Sequence, residues 1–455
     1  MRKIKNEDRK QLIRRAEATL QIILFAVLYY ITWKFAYTEM TFPYLGRGKY
    51  ILVGVYAFFN TILFYYSDSF NYGNVKLSDL IVSQWIALSL VNFITYFQLC
   101  LISNTVVMVS PMLVLTIIDF LVSIGCCYLY NIIYLKNQAP RNLLMVYGNE
   151  SALELEEKMA VRTDKYHFAE MISVEEGFKK ICERIEKHDS VLLNDVPAQI
   201  RNDILKYCYT NAIRVYATPK LSDIIMSGAD EINLFDTPLR LIKGKGLTLE
   251  QRVLKRAMDI ALCSIAMIVA APIMLVVAIA IKLEDGGPVF FTQKRATIDG
   301  KTFDILKFRS MIVDAEKFGE VIPATDRDPR ITKVGNIIRA TRIDELPQIL
   351  NILKGEMSIV GPRPERVEHV EKYSKDIPEF SYRLKVKGGL TGYAQIYGKY
   401  NTSAYDKLRL DLMYIEKYSL LLDIKLILMT LQIMLRKEST EGFKNDKKEE
   451  THTGH

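Results

Sequence analysis

The sequence predicts an integral membrane protein, in which four transmembrane helices precede an α/β domain and a mostly α-helical C-terminal domain. Half of the 455 residues are hydrophobic, yet a quarter are charged, so apolar and polar segments must be segregated along the chain. Four long apolar runs lie in the first third, and alternating strand and helix patterns follow them. A chain of this length typically forms two to four structural units.

The four apolar runs predict a bundle of membrane-spanning helices over residues 1–138. Each is long enough, or nearly so, to cross a hydrocarbon core of about 30 Å at about 1.5 Å per residue. Their ends are rich in Tyr and Trp, as membrane interfaces are. The alternative is four buried helices of a soluble protein. Asp119 in the fourth run is expected to be paired within the bundle, and the alternative is a functional role. The runs are Thr19–Ala36, Tyr50–Tyr66, Leu80–Ile102 and Val106–Leu135.

Flanking charges predict the orientation of these helices. Basic residues are concentrated before the first run, which places the N-terminus in the cytoplasm. An even number of spans then returns the chain to the cytoplasm near Lys136 and Arg141. We therefore expect a multi-pass protein whose later domains face the cytoplasm.

Residues 139–250 predict a cytoplasmic α/β domain. The segments NLLMVYG, YHFAEMI, SVLLND and AIRVYA are typical of strands, and helical patterns such as Ser151–Val161 separate them. This alternation predicts a parallel sheet with right-handed crossovers. After Gly148 the sequence GNESAL carries one glycine where a dinucleotide site needs G-x-G-x-x-G, which favours a structural or regulatory domain. Leu239–Gln251 is predicted to be a linker.

The net charge of +8 favours anionic partners, either a membrane surface or phosphorylated substrates. Nucleic acid is disfavoured, because the basic residues mostly flank apolar runs. The six cysteines lack C-x-x-C spacing and are expected to be reduced, and the five histidines show no zinc pattern. The sequence leaves the oligomeric state open, a homo-oligomer included.

The most informative stretch is Arg339–Pro364, which places the adjacent carboxylates Asp344 and Glu345 shortly before Pro347. Because proline is tolerated only in the first turn of a helix, Asp344 is expected at or just before the start of a short helix. There the helix dipole would hold the carboxylate ionised, beside N–H groups that suit a phosphate.

Arginines accompany this carboxylate pair: Arg339 and Arg342 precede it, and Arg363 follows in the turn GPRP. Guanidinium groups bind phosphate oxygens bidentately. An ionised Asp beside such groups is a candidate nucleophile for phosphoryl transfer. The alternative is an N-cap Asp among surface arginines.

The whole string resembles the signature of the bacterial sugar transferases called monotopic phosphoglycosyl transferases, or polyprenyl glycosylphosphotransferases. The resemblance is dense over about Gln251–Arg436 and includes the motif KFRSM, which contains Arg309. Two positions depart from the pattern, since Thr297 stands where glycine is usual and Gly388 where proline is usual. In larger members a Rossmann-like domain lies between the four spans and the catalytic part.

The resemblance implies transfer of a phosphosugar from a UDP-sugar to polyprenyl (undecaprenyl) phosphate. Asp344 would attack the phosphorus that bears the sugar, forming a covalent aspartyl-phosphosugar and releasing UMP. This would initiate the synthesis of an exopolysaccharide, capsule or other glycoconjugate at the bacterial inner membrane.

Attack of a carboxylate on an anion requires charge neutralisation, which indicates Mg²⁺ and arginines. Asp344 and Glu345 are the expected Mg²⁺ ligands. Arg339, Arg363 and Arg309 are the candidates for diphosphate contacts. For Arg342 the alternative is that it only solvates the helix start.

The apolar run Ile260–Ile281 is long enough to span a membrane, but Pro272 at its centre predicts a kink. A fifth straight crossing would put the following domain outside. The resemblance implies a re-entrant membrane helix instead, with Lys255, Arg256 and Asp259 matching its first motif. Residues 251–437 would then be this helix and the cytoplasmic catalytic domain.

Two further segments complete the chain. Asp411–Arg436 is predicted to be one amphipathic helix, either at the membrane interface or packed on the catalytic core. Residues 438–455 are polar and predicted to be disordered.

Two rival functions remain open. A membrane-tethered sugar-nucleotide dehydratase or epimerase would need a glycine-rich dinucleotide turn and a Tyr-x-x-x-Lys pair in its soluble part. The turn is degenerate, and the match Tyr72…Lys76 falls between spans. A non-catalytic assembly scaffold would not need the carboxylate-arginine stretch. The sequence identifies neither the sugar, nor the polyprenyl length, nor the pathway.

Overall fold

A computed structural model of the chain describes residues 2–39, 46–72, 75–137, 140–149, 151–160, 163, 165–244, 246–313, 328–398 and 402–434. The chain forms two compact units, residues 1–223 and 224–455. The predicted domain borders at 138, 250 and 437 remain predictions. Three segments lie outside the described residues. They are the predicted disordered tail, the end of the last predicted helix at Arg436, and residues 325–327.

The first unit begins with four long helices, α1 to α4. Apolar and aromatic side chains from these helices form a shared core that includes Phe25, Tyr56, Leu88 and Leu115. Their outward faces are also apolar, as for Ile117, which is 61% exposed. The helices are α1 (Arg2–Ala36), α2 (Gly48–Tyr66), α3 (Leu77–Ser103) and α4 (Ser110–Asn137).

Asp119 is buried inside this core, as expected. Its Oδ2 accepts hydrogen bonds from Asn92 Nδ2 at 3.0 Å and from Tyr56 Oη at 3.4 Å. Neighbouring helices therefore bind one oxygen of the acid, whereas its buried Oδ1 has no hydrogen-bond partner among the described residues.

The rest of the first unit is an α/β domain, and its predicted strands are confirmed. Four parallel strands lie in the order β2-β1-β3-β4, with helices between them. Apolar clusters around Ile181 and around Met145 cover the two faces. The elements are β1 (Arg141–Tyr147), α5 (Ser151–Ala160), β2 (Tyr166–Ser173), α6 (Phe178–Ile185), β3 (Ser190–Asn194), α7 (Ala198–Thr210), β4 (Arg214–Ala217) and α8 (Leu221–Ser227), which crosses the border of the units.

The second unit opens with an exposed antiparallel hairpin, β5 (Asp230–Leu234) and β6 (Thr237–Leu241). The linker prediction for 239–251 is therefore wrong at its start, because Leu239 and Arg240 pair with Ile232 and Glu231. It is wrong at its end as well, because the next helix begins at Leu249, two residues before the predicted end of the linker.

That next helix, α9 (Leu249–Asp285), is the longest of the described elements and is continuous through Pro272. A capping box formed by Thr248 and Gln251 starts it, and Gly286 ends it with φ +69°. Together with α1 to α4, it is one of five described helices that are long and apolar enough to cross a membrane.

Short elements follow α9 and pack along it. A hairpin and α10 come first, then a 3₁₀ turn at Ile343–Glu345 leads into α11. The strands and helices are β7 (Phe290–Ala296), β8 (Thr302–Phe308), α10 (Lys333–Ala340), α11 (Gln348–Lys354), β9 (Ser358–Val360), α12 (Val367–Asp376), β10 (Gly389–Thr391), α13 (Tyr393–Tyr397), α14 (Ala404–Glu416) and α15 (Leu420–Met434).

The C-terminal segment is two helices rather than the single helix predicted over 411–436. α14 ends at Glu416, and Ser419 begins a new helix by accepting a hydrogen bond from Leu422 N at 3.1 Å. A continuous apolar pattern hid this break, because an N-capping serine within an amphipathic run leaves the hydrophobic periodicity almost unchanged.

Candidate active site

The carboxylate pair lies where a helix begins, as predicted. Arg342 adopts a left-handed conformation with φ +58°, and Ile343–Glu345 then form one 3₁₀ turn. Pro347 caps α11, which starts at Gln348. The left-handed residue turns the chain sharply, so Asp344 and Glu345 follow directly after α10 and immediately precede α11.

Glu345 is held by two cations. Its Oε1 accepts hydrogen bonds from Lys307 Nζ at 2.6 Å and from Arg363 Nη2 at 3.0 Å. Burial alone would raise the pKa of the Glu345 carboxyl, but Arg363 and Lys307 outweigh burial and hold this pKa well below its usual range. Glu345 is therefore an ionised anchor for two positive charges.

Lys307 is a site residue that sequence reasoning did not single out. It lies on β8, 38 residues before Glu345, and it comes from the KFRSM motif that carried the resemblance. Attention there went to Arg309, because arginine binds phosphate bidentately. Burial lowers the pKa of the Lys307 ammonium, which Glu345 partly offsets.

Asp344 is in a different state from its neighbour. In the part of the chain that the structure describes, its half-buried carboxylate makes no hydrogen bond or ion pair. Burial raises its pKa, and Glu345 raises it further, while Lys307, Arg339 and Arg342 oppose the rise. The net shift of the Asp344 pKa is upward because desolvation dominates, and the expectation that Asp344 is held ionised stays a prediction.

The predicted arginines divide into two groups. Arg363 binds Glu345, and Arg339 and Arg342 lie close enough to Asp344 to influence its pKa. Arg309 instead donates through Nη1 to Asp285 Oδ2 at 2.8 Å, and its Nη2 bonds Asp285 Oδ1. The structure thus brings three of the four predicted arginines to the carboxylates and pairs Arg309 with the end of α9.

Arg295 on β7 is another cation that sequence reasoning missed. Its Nη1 donates to Pro364 O at 3.1 Å, directly after Arg363. Burial, Arg363 and Arg366 together lower the pKa of Arg295 to about 10. No signal in the sequence distinguishes this arginine from the other basic residues of its hairpin.

The predicted motif at the start of α9 forms the contacts that position the site. Lys255 Nζ donates to Asp423 Oδ2 at 2.6 Å and to Tyr414 Oη at 3.0 Å, which ties α9 to α14 and α15. Asp259 Oδ1 accepts from Ile359 N at 3.0 Å and so fixes β9.

Arg256 in the same motif fixes α11 itself. Its Nη1 and Nη2 donate to the carbonyl oxygens of Ile352 and Leu353 at 2.5 and 2.6 Å, at the C-terminal end of that helix. α11 follows Asp344 and Glu345 directly. Arg256 of α9 therefore fixes the helix that begins next to the carboxylates.

The two positions that depart from the family pattern meet in space. Gly388 N donates to Thr297 Oγ1 at 3.3 Å, and Thr297 Oγ1 donates to Glu356 O at 3.2 Å. A proline at position 388 would have no N–H for this bond. The threonine and the glycine are therefore linked by a hydrogen bond that a proline at position 388 could not donate.

The carboxylate pair fits Mg²⁺ in one binding mode. Among the described residues, no group of three or more His, Cys, Asp or Glu side chains could hold a metal ion. Mg²⁺ commonly takes one or two carboxylates and completes its shell with water and substrate phosphates. Asp344 offers such a carboxylate, and both contacts of Glu345 use Oε1, which leaves Oε2.

Comparison with known proteins identifies the family to which this chain belongs. The bacterial sugar transferase family matches residues 250–437. A UDP-glucose:undecaprenyl-phosphate glucose-1-phosphate transferase of Escherichia coli (strain K12) is 44% identical over 210 residues, which are 45% of this chain and 43% of that protein. The galactosyl transferase CpsE of Streptococcus agalactiae is 40% identical over 40% of this chain and 42% of its own length.

A longer match reaches beyond the second unit. The UDP-N-acetylgalactosamine-undecaprenyl-phosphate N-acetylgalactosaminephosphotransferase of Aeromonas hydrophila is 32% identical over 330 residues, 70% of this chain and 72% of that protein. The chain thus spans less than half of the first two relatives and most of the third. The family match contains every site residue described above, and the chain belongs to the bacterial sugar transferase family.

Proposed function

We propose that this protein transfers a phosphosugar from a UDP-sugar to undecaprenyl phosphate through a covalent intermediate on Asp344. One observation carries the proposal: of two adjacent carboxylates, Glu345 is bound by Lys307 and Arg363, whereas Asp344 keeps its lone pairs. A nucleophile needs lone pairs and partial desolvation, and a neighbouring cation cluster suits a diphosphate.

In the first step an Asp344 carboxylate oxygen attacks the phosphorus that bears the sugar. The bond from this phosphorus to the oxygen that bridges the two phosphates breaks, and UMP leaves with that oxygen and its electron pair. The enzyme then carries an aspartyl-phosphosugar.

In the second step a phosphate oxygen of undecaprenyl phosphate attacks the same phosphorus. The phosphorus–oxygen bond to Asp344 breaks, which restores the carboxylate and gives undecaprenyl diphosphate sugar. No oxidant, reductant or net proton source is needed.

The cations reduce the repulsion between a carboxylate and an anionic substrate. Arg339 and Arg342 are proposed to contact the diphosphate, with Arg363 and Lys307 held in place by Glu345. Mg²⁺ held by Asp344 and Glu345 would supply further charge neutralisation at the phosphate oxygens.

We propose that α9 is re-entrant, with both ends on the cytoplasmic side. One end of α9 is bound to the rest of the second unit, here called the catalytic unit, through Lys255, Arg256 and Asp259. At the other end Asp285 binds Arg309 of the same unit. Buried residues along the helix also pack on this unit, whereas Ile268 and Val276 on the other face are 76% and 66% exposed.

α9 packs one face on its own unit and exposes an apolar face. This arrangement suits a helix that enters the membrane and returns on the same side better than one that crosses it. The polyprenyl tail could then stay in the bilayer while its phosphate reaches Asp344. Helices α1 to α4 are proposed to span the inner membrane as a bundle, which leaves both later domains in the cytoplasm.

The sugar remains open, because the relatives are named for glucose, galactose and N-acetylgalactosamine. The name CpsE supports a role in initiating a capsule or another exopolysaccharide.

A donor screen tests the proposal. Purified full-length protein with Mg²⁺, undecaprenyl phosphate and a panel of UDP-sugars should release UMP with one or more donors. Asp344→Asn should reduce that release about a thousandfold or more, since the amide is not a nucleophile. Full activity of Asp344→Asn would show that the nucleophile has been misassigned, and no release with any donor would contradict the proposed reaction.

A further inference from the structure

A second basic site lies in the catalytic unit, away from the carboxylate pair. A cavity of about 530 Å³ is lined by Lys301, Lys354 and Lys387, together with Thr297, Asp304 and Glu356. No step proposed above uses these residues.

This cavity and the carboxylates lie at opposite ends of α11. Asp344 and Glu345 precede the helix, whereas Lys354 is its last residue. Seven residues of helix separate the two ends by about 10 Å. The cavity is therefore a separate site, although the same helix serves both.

The acidic residues of the cavity already have partners. Glu356 Oε2 accepts a hydrogen bond from Asn351 Nδ2 at 2.6 Å, and Asp304 Oδ1 lies 3.5 Å from Lys294 Nζ. Asn351 also bonds the backbone of β8, so Glu356 is fixed as part of the wall.

The lysines lack such partners. Within the described ranges, no carboxylate oxygen lies within salt-bridge distance of Lys301, Lys354 or Lys387. Lys387 is half-buried, and burial together with the nearby Arg256 lowers its pKa, which Asp259 only partly opposes. Lys301 and Lys354 are exposed, so only Lys387 is partly withdrawn from water, and such a cation is stabilised by a nearby anion.

Gly355 of the cavity wall lies beside two cations. A Cβ built on it would lie 3.4 Å from Arg256 Nη2 and 3.6 Å from Lys387 Nζ, so both charges are near this end of α11. Its φ of +88° is a conformation that favours glycine.

We infer that this cavity is a phosphate-binding site distinct from the catalytic carboxylates. Three lysine ammonium groups and a neighbouring guanidinium match the charge and several oxygens of a phosphate group better than the single charge of a carboxylate. The phosphate can be free inorganic phosphate or the headgroup of an anionic phospholipid. The apolar residues Val253 and Leu254, both more than half exposed, shortly precede Arg256 on α9 and favour a lipid as one source of the phosphate.

The test uses full-length protein in nanodiscs of phosphatidylcholine, with binding of labelled inorganic phosphate measured by equilibrium dialysis. The double variant Lys354→Gln, Lys387→Gln should weaken binding at this site about tenfold or more, which corresponds to about 1.4 kcal/mol. Lys372→Gln, Lys375→Gln on exposed α12 is the matched control and should bind as the parent does.

A second double variant, at the cations that bind Glu345, distinguishes this cavity from the catalytic site. Lys307→Gln, Arg363→Gln should leave phosphate binding in the cavity unchanged. If the double variant Lys354→Gln, Lys387→Gln does not fold, Lys301→Gln at the exposed edge of the cavity replaces it as the test of binding. The double variant Lys354→Arg, Lys387→Arg should restore binding.

A lipid arm repeats the variants in nanodiscs that contain phosphatidylglycerol, with bound lipid counted by native mass spectrometry. Lysine-dependent retention of phosphatidylglycerol would assign the headgroup, and lysine-dependent binding of inorganic phosphate alone would assign the free ion. If neither ligand depended on Lys301, Lys354 or Lys387, or if phosphate binding were lost only with Lys307 and Arg363, the inference would be overturned.

Discussion

Two regions of the catalytic unit are rich in charge, but they use it differently. At the start of α9, Lys255 and Asp423 are both buried and satisfy each other together with Tyr414. At the carboxylate pair, Glu345 is bound by two cations, whereas Asp344 beside it has no bonded partner in the described part of the chain.

The comparison separates structural charge from chemical capacity. A buried pair in which both carboxylate oxygens are hydrogen-bonded fixes one element on another and is not available to a substrate. A cluster that leaves one carboxylate unbonded among several cations can accept a phosphate and attack it. The first region should respond to mutation in stability, and the second in rate.

The largest expected effect is on stability and comes from Asp423→Ala. This change leaves the Lys255 ammonium buried without its counter-charge, which typically costs about 3–5 kcal/mol. Thermal unfolding of the detergent-solubilised protein should show a large fall in Tm. Asp376→Ala on exposed α12 is the control, and an equal Tm for the two variants would remove the distinction between the regions.

Glu345→Gln should lower the rate and leave most of the stability. Loss of the charge releases Lys307 and Arg363 from their positions near the proposed diphosphate site, and we expect a decrease in kcat/KM of about a hundredfold. UMP release measures this rate. The control Glu371→Gln, on the exposed side of α12, should have the same rate as the parent. If Glu345→Gln lowered Tm without lowering the rate, Glu345 would have a structural role only.

Lys307→Met should move the acidic limb of the pH profile. Lys307 lowers the pKa of Asp344, so its removal raises that pKa, and the ionised nucleophile is lost at a higher pH as the pH falls. The acidic limb of kcat/KM should shift upward by about one pH unit. Lys294→Met, 70% exposed on β7, should leave the limb in place.

A shift of the limb to lower pH, or no shift, would mean that Asp344 is not the titrating group. The profile of the parent protein also carries information. Because burial raises the pKa of Asp344, its acidic limb should lie above the value of an exposed aspartate.

The smallest expected effect belongs to Arg309→Lys. A lysine cannot keep the two-pronged contact with Asp285, and we expect a loss of about 1–2 kcal/mol in unfolding free energy. The KM for the UDP-sugar should not change. A raised KM with unaltered Tm would instead support the role in phosphate binding predicted from the sequence, and Arg252→Lys at the exposed start of α9 is the control.

The sequence predicted what local patterns determine. Alternating apolar runs gave the parallel strands from Arg141 to Ala217, and Pro347 located the helix start beside Asp344. The residues that resisted prediction depend on contacts between distant segments. Lys307 reaches Glu345 across 38 residues, and Lys255 reaches Asp423 across 168.

The pKa of Asp344 could not be predicted from the sequence pattern either. The helix start suggested a low pKa for Asp344, but the depth of burial decides the direction, and burial is a property of the packed unit. The hairpin formed by β5 and β6 was missed because its strands are only five residues long and exposed, although Ile232 and Leu234, like Leu239 and Leu241, alternate with polar residues.

Labelling of Asp344 tests the central claim most directly. Full-length protein is incubated with Mg²⁺ and a UDP-sugar that the screen identifies, without undecaprenyl phosphate, and its peptides are analysed by mass spectrometry. The account predicts one equivalent of UMP and a phosphosugar on the peptide that contains Asp344, which undecaprenyl phosphate then removes. UMP release that begins only after the acceptor is added, with no labelled peptide, would contradict the account.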